Sequence, residues 1–167
     1  SRGLGDVYKR QEFLLPAVIH SAADTARNVY ATDLDGDGDT DVLTAAYVDD
    51  AIIWYQNLGA SNTFSAHTIT TAVDGAQDVF AIDMDDDGDV DVLVAASLDD
   101  EIAWYENDGT ENFTTHSIST TASEAWSVHA ADLDGDGDMD VLSASNGDDR
   151  IAWYENDGSE SFTTHTI

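Results

Sequence analysis

The chain has 167 residues, 42% of them hydrophobic, which suits a folded protein with a sizeable core better than a disordered one. Its 35 acidic residues against 5 Lys plus Arg give a formal charge of −30, a balance that repels nucleic acid and anionic membrane surfaces and attracts cations. The absence of cysteine excludes thiol catalysis and zinc–thiolate sites, and no apolar run reaches the ~18 residues that a spanning helix needs.

The first eleven residues, SRGLGDVYKRQ, hold Arg2, Lys9 and Arg10, three of the five basic residues, and match nothing further along. The string DVYKRQ resembles the in-frame translation of a transposon-type sequencing adaptor, so residues 1–11 are set aside as a non-native leader. Residues 12–167 are then more acidic still, with 34 of the 35 acidic residues against Arg27 and Arg150.

A short strand is expected next, ending near Ile19, and after it the chain repeats. Asp33, Asp83 and Asp132 lie 50 and 49 residues apart, as do Trp54, Trp104 and Trp153. The units run over about 20–69, 70–118 and 119–167. Their one difference in length places 58-LGASNTF-64 opposite the shorter 108-DGTENF-113, which marks that segment as a surface turn. Each unit reads as four short strands; in the second they are 78-DVFAID-83, 91-DVLVAAS-97, 101-EIAWYE-106 and 113-FTTHSIS-119. Asp99-Asp100 and Asn107-Asp108-Gly109 are turns, the latter favouring positive φ and a tight reversal. No segment keeps a helical period. Four antiparallel strands per repeat of about 50 residues make the blade of a β-propeller, whereas the rungs of a parallel β-helix are much shorter. The expected fold is therefore all-β: a β-propeller fragment of three four-stranded antiparallel blades plus a preceding strand, with neighbouring blades missing.

The loops between the first two strands of each unit are 33-DLDGDGDTD-41, 83-DMDDDGDVD-91 and 132-DLDGDGDMD-140. Two carboxylates about 4 Å apart repel by about 4 kcal/mol at an effective dielectric of 20, so several can converge only around a cation. Hard oxygen donors without His or Cys select calcium. In the first loop Asp33, Asp35, Asp37 and Asp41 are the expected side-chain ligands, with Asp39 offering its backbone carbonyl. The second loop gives Asp83, Asp85, Asp87 and Asp91 with the Asp89 carbonyl; the third gives Asp132, Asp134, Asp136 and Asp140 with the Asp138 carbonyl. Gly38, Gly88 and Gly137 allow the sharp turn, and Asp86 stands where its sister loops have glycine. An EF-hand is excluded, because its twelfth position needs a bidentate Glu and here holds Thr44, Val94 or Ser143. One such loop alone is commonly a solvated turn; three in fixed register are not.

On DxDxDGDxD followed by strands such as 101-EIAWYENDG-109, residues 12–167 resemble the FG-GAP family, more closely its VCBS-like branch, since the Phe-Gly and Gly-Ala-Pro elements are missing. The loops are similar to the calcium-binding loops of integrin α-subunit propellers. The resemblance implies a propeller of about seven blades on a secreted or cell-surface protein, used in adhesion or ligand binding.

Other residues invite chemical readings. Trp54, Trp104 and Trp153 each precede a Tyr that points to the opposite face of its strand, which suits packing between blades better than a sugar-stacking row. His67, His116 and His165, one per unit on the last strand, read as exposed strand residues. Tyr30, Phe80 and His129 share one position and read as packing. On the face opposite the aspartate loops the units vary: Arg27, Gln77 and Trp126 are equivalent, as are Ala51, Glu101 and Arg150. Arg27, Gln77, Trp126 and Arg150 are therefore the candidate ligand-binding residues.

The expected function is a calcium-binding, non-catalytic propeller module with three Ca²⁺ sites, secreted or on the cell surface, whose partner is an extracellular protein or glycan. It neither binds nucleic acid nor inserts into membranes. The alternatives are the propeller of a polysaccharide lyase or hydrolase, or a glycan-binding lectin. No phosphate loop, nucleophile elbow or histidine–metal motif appears, and aspartates in equivalent loops argue repetition, not acid/base specialisation.

Overall fold

The computed structural model describes residues 18–21, 23–59 and 63–167. The leader lies outside these residues, as does most of the strand expected before the first unit. Residues 18–21, at its expected end, are not part of a strand, and His20 among them packs on Tyr55 with ring centroids 5.4 Å apart.

Twelve strands form three four-stranded antiparallel sheets in a row, with no helix among the described residues. The first contains β1 (Ala26–Thr32), β2 (Asp41–Ala46), β3 (Ala51–Asn57) and β4 (Phe64–Thr70). The second contains β5 (Ala76–Ile82), β6 (Asp91–Ala96), β7 (Glu101–Asn107) and β8 (Phe113–Ser119). The third contains β9 (Ala125–Ala131), β10 (Asp140–Ser145), β11 (Arg150–Asn156) and β12 (Phe162–Thr166). Strand order in every sheet is the order of the chain, and β1, β5 and β9 lie side by side at the inner edge. This is the expected arrangement of propeller-like blades.

The sequence explains why the sheets stack. In β6, DVLVAA, every residue is buried, since both faces of the middle sheet are covered. Val92, Val94 and Ala96 face the first sheet, in a core with Leu43, Ala45, Ile52 and Trp54. Leu93 and Ala95 face the third, in a core with Val128, Val141 and Tyr154. The Trp–Tyr pairs divide in the same way: Trp54 shares a core with Tyr105 of the next blade, and Trp104 with Tyr154. The inner-strand aromatics link blades edge to face, Tyr30 to Phe80 at 5.1 Å and Phe80 to His129 at 4.2 Å.

The histidines are not simple exposed strand residues. His67, His116 and His165 are half-buried and pack on Trp54, Trp104 and Trp153, with centroids 4.7, 4.5 and 4.6 Å apart. The register explains it: each His lies directly across from the Trp of the neighbouring strand, where aromatic faces meet.

Burial of equivalent residues depends on the neighbouring blade. Ile52 and Ile102 are 0% exposed, whereas Ile151 in the third blade is 56% exposed. Ile102→Ala should therefore cost about 2–5 kcal/mol, and Ile151→Ala within about 0.5 kcal/mol. Urea unfolding of the two variants checks this; equal losses would contradict the packing.

Candidate metal centres

Each aspartate loop begins where an inner strand ends and closes on a buried ninth residue that opens the next strand. Asp41, Asp91 and Asp140 are all 0% exposed. Each accepts hydrogen bonds from two backbone N–H groups. For Asp41 these come from Leu34 (3.1 Å) and Asn57 (2.7 Å), for Asp91 from Met84 (2.9 Å) and Asn107 (2.7 Å), and for Asp140 from Leu133 (3.0 Å) and Asn156 (2.9 Å). One carboxylate thus ties the loop to the end of the third strand.

The glycine at the sixth position supplies the conformation the loop needs: Gly38, Gly88 and Gly137 have φ of 95°, 99° and 106°. Gly38 and Gly88 donate their N–H to Asp33 (2.9 Å) and Asp83 (3.0 Å). Asp86 takes the left-handed backbone expected of it, at φ 62°.

The structure brings together carboxylate oxygens of Asp33, Asp35 and Asp41, and likewise of Asp83, Asp85 and Asp91, all within 4.8 Å of one another in each group. In the third loop the gathered residues are Asp132, Asp134 and Asp136, all exposed. That loop is arranged differently: Asp132 turns to accept from Gly135 (2.6 Å), and Leu133, at 45% exposed, lacks the cover that keeps Leu34 and Met84 at 3% and 4%. Asp37 and Asp87, fifth in their loops, stand outside the triads and accept from Asp39 (2.8 Å) and Asp89 (2.9 Å). The seventh side chains, Asp39, Asp89 and Asp138, turn aside against Gly59, Gly109 and Gly158 of the turn between the third and fourth strands. A side-chain carbon on any of those glycines would collide with the carboxylate.

The donor set fits a hard divalent cation. It consists of oxygen alone, and Oδ1 of Asp33 and of Asp83 is buried with no hydrogen-bond partner. Such orphaned anionic oxygens are costly unless something positive meets them. The electrostatics agree. Burial pushes Asp91 up to about 6, against the pull of the N–H groups of Asn107 and Met84. Asp85 is also raised, first by burial and then by the charges of Asp87, Glu106 and Asp83. Asp134 is raised by desolvation and by Asp136 and Asp140.

Sequence reasoning took Asn107 for a turn residue only. Asn57, Asn107 and Asn156 recur at the repeat spacing, and each brackets the loop: the side-chain amide donates to the carbonyl of Thr40 (3.1 Å), Val90 (3.1 Å) or Met139 (3.2 Å). The same side chain accepts the N–H of Gly59, Gly109 or Gly158 at 3.2 Å. That recurrence was the available signal.

On the opposite face the acidic turns act as staples. Asp50 accepts the N–H of Gly75 (3.1 Å) and Asp100 that of Glu124 (2.7 Å), each joining one blade to the next. The candidate ligand residues differ in what they contact there. Arg27 lies over the Tyr47 ring at 4.7 Å, and Gln77 is buried and donates to Ser97 Oγ at 3.1 Å, so its amide is not presented to a ligand. Arg150 pairs with Asp148 at 3.4 Å. Trp126 is 53% exposed and lines an open hollow of about 380 Å³ with Ala144, Ser145 and Asn146.

The model of the FG-GAP-like repeat matches residues 33–94, 83–143 and 132–167, each match beginning on the first aspartate of a loop. The chain belongs to the FG-GAP-like repeat family, a class of β-propeller repeat modules. No curated protein matches it.

Two outcomes follow for the metal centres. Asn107→Ala leaves buried backbone groups unpaired and should cost about 1–3 kcal/mol in urea unfolding, and an unchanged midpoint would contradict its bracketing role. In metal-free protein, Asp91 binds its proton more tightly folded than unfolded, so its contribution to stability falls as pH rises from about 4 through about 6. A denaturation series across that range that is flat for wild type and for Asp91→Asn alike would contradict the buried charge.

Proposed function

We propose that this chain is a calcium-stabilised, non-catalytic binding module of an extracellular protein. The observation that carries the reading is the pair of buried, unpartnered oxygens, Asp33 Oδ1 and Asp83 Oδ1, at the centre of oxygen-only carboxylate groups. Asp33, Asp35 and Asp41 would hold the first ion, Asp83, Asp85 and Asp91 the second, and Asp132, Asp134 and Asp136 the third. The ion supplies positive charge that neutralises the loop, while the chain's own residues set the turn and join it to the third strand. Calcium tolerates 6 to 8 oxygens in irregular geometry and so suits loops whose arrangement differs between blades, as the third differs from the first two.

Loops of this kind serve extracellular modules with dissociation constants of order 10⁻⁴ to 10⁻³ M, a range matched to millimolar calcium outside the cell. No helix among the described residues is long and apolar enough to cross a membrane. FG-GAP-like repeats are structural modules; the perturbed carboxylates Asp85, Asp91 and Asp134 sit in equivalent aspartate loops and Asp108 and Asp157 in equivalent turns, with Asp74 in the turn before β5, a repetition that supports binding over catalysis. The partner is a protein or glycan met on the face opposite the metals, where Trp126 stands exposed.

Thermal melting tests the calcium role. A ligand at 100 times its dissociation constant adds about 2.7 kcal/mol per site, so saturating calcium should raise the midpoint by several degrees over chelated protein. Identical midpoints would refute the stabilising role. Incubation with acidic polysaccharides should yield no new unsaturated ends; their appearance would favour a lyase.

A further inference from the structure

The first two metal centres have the same three ligand positions, yet the residue of the third strand that serves the aspartate at the third loop position differs between them. In the first blade it is Gln56, whose Nε2 donates to Asp35 Oδ2 over 2.6 Å. In the second it is Glu106, at the same register of the third strand: Gln56 lies across from Ser65, and Glu106 from Thr114. A carboxylate has no proton to give Asp85. Glu106 turns instead to His116, with Nε2–Oε2 at 2.7 Å, and Glu155 does the same with His165 at 2.7 Å in the third blade. His67, the first-blade counterpart, keeps its Nε2 buried and unpartnered, because its neighbour Gln56 is committed to Asp35. One change from amide to acid therefore rewires three side chains. It also alters the charge beside the loop, since an amide is neutral and a carboxylate is not.

We propose that Glu106 is an affinity-setting residue for the second calcium site, and that Gln56 makes the first site the weaker of the two. This rests on the calcium reading above. The number of carboxylate charges around the ion is a principal determinant of calcium affinity in oxygen-liganded loops. Glu106 adds a full negative charge at a place from which a side chain of the same length reaches Asp35 in the first blade. The pairing with His116 keeps that charge beside the loop while no ion is bound. Gln56 opposes binding at the first site in two ways: it contributes no charge, and its amide occupies a lone pair of Asp35 that the ion needs. The amide also relieves repulsion in the empty loop, but a dipole acts over a shorter range than the attraction between a divalent ion and a full charge. Net charge decides the order. The ninth residues of both loops are fully buried and both first residues carry an orphaned oxygen, while Asp86 adds an acidic side chain to the second loop alone, so variants at 56 and 106 isolate the effect of these two residues.

The N–H groups of Gly38 and Gly88, each bonded to the first aspartate of its own loop, report the two sites separately in a ¹⁵N–¹H correlation spectrum. With calcium added to the whole chain, Gly88 should reach its half-shift at about tenfold lower calcium than Gly38. Glu106→Gln should raise the Gly88 midpoint toward that of Gly38, and Gln56→Glu should lower the Gly38 midpoint, with neither variant losing the dispersion of a folded protein. A common midpoint for both glycines in wild type, or midpoints that stay in place in both variants, would overturn the proposal and leave the calcium reading intact. Failure of either glycine to respond to calcium at all would overturn both.

Discussion

The structure turns on one carboxylate per blade. Asp41, Asp91 and Asp140 are sealed from solvent, yet each is held by two backbone N–H groups, one from its own loop and one from the end of the third strand. Hydrogen bonds of this kind favour the charged form, while burial and neighbouring aspartates oppose it. In Asp91 burial wins, and the group is driven up to about 6. A negative charge that is structurally required and electrostatically penalised needs a positive counterpart. No Lys or Arg stands in any of the three loops, and their grouped carboxylates could hold a metal ion in that role.

That local balance is coupled to the packing of blades. The loop begins directly after an inner strand, and its second residue, Leu34 or Met84, is buried under the following blade. In the third blade Leu133 is exposed, and there the first aspartate turns to Gly135 and the triad is composed of different residues. Coverage by a neighbour and geometry of the metal loop thus change together. On the other face, Asp50 and Asp100 bond the N–H groups of the next blade, so the acidic character of the chain serves two purposes. At one face carboxylates gather in groups that could hold a metal ion; at the other they act singly, as acceptors that fasten one sheet to the next.

Much of this was legible in the sequence because the chain repeats itself. The four strands per unit, the positive-φ glycine at the sixth loop position and the packing role of the Trp–Tyr pairs all followed from aligning one unit on another. Strand ends of the second unit fell within two residues of their observed places, since turns such as Asn107-Asp108-Gly109 punctuate them. What escaped was partnership across strands. His116 looked exposed because it sits on an outer strand, but the register sets it on Trp104. Gln77 looked variable and so available, whereas its side chain is buried against Ser97. Asn107 looked like turn chemistry although it also joins the turn to the loop. Each depends on which residue lies opposite, information that spacing along one strand does not carry.

The central claim is that the loops persist because divalent ions balance their charge. Native mass spectrometry of protein refolded with calcium and then exchanged into volatile buffer counts those ions directly. The account predicts a dominant species carrying three calcium ions per chain, with none retained when the first aspartate of every loop is replaced by alanine. A folded wild-type chain that leaves the same treatment with no bound ion would contradict it.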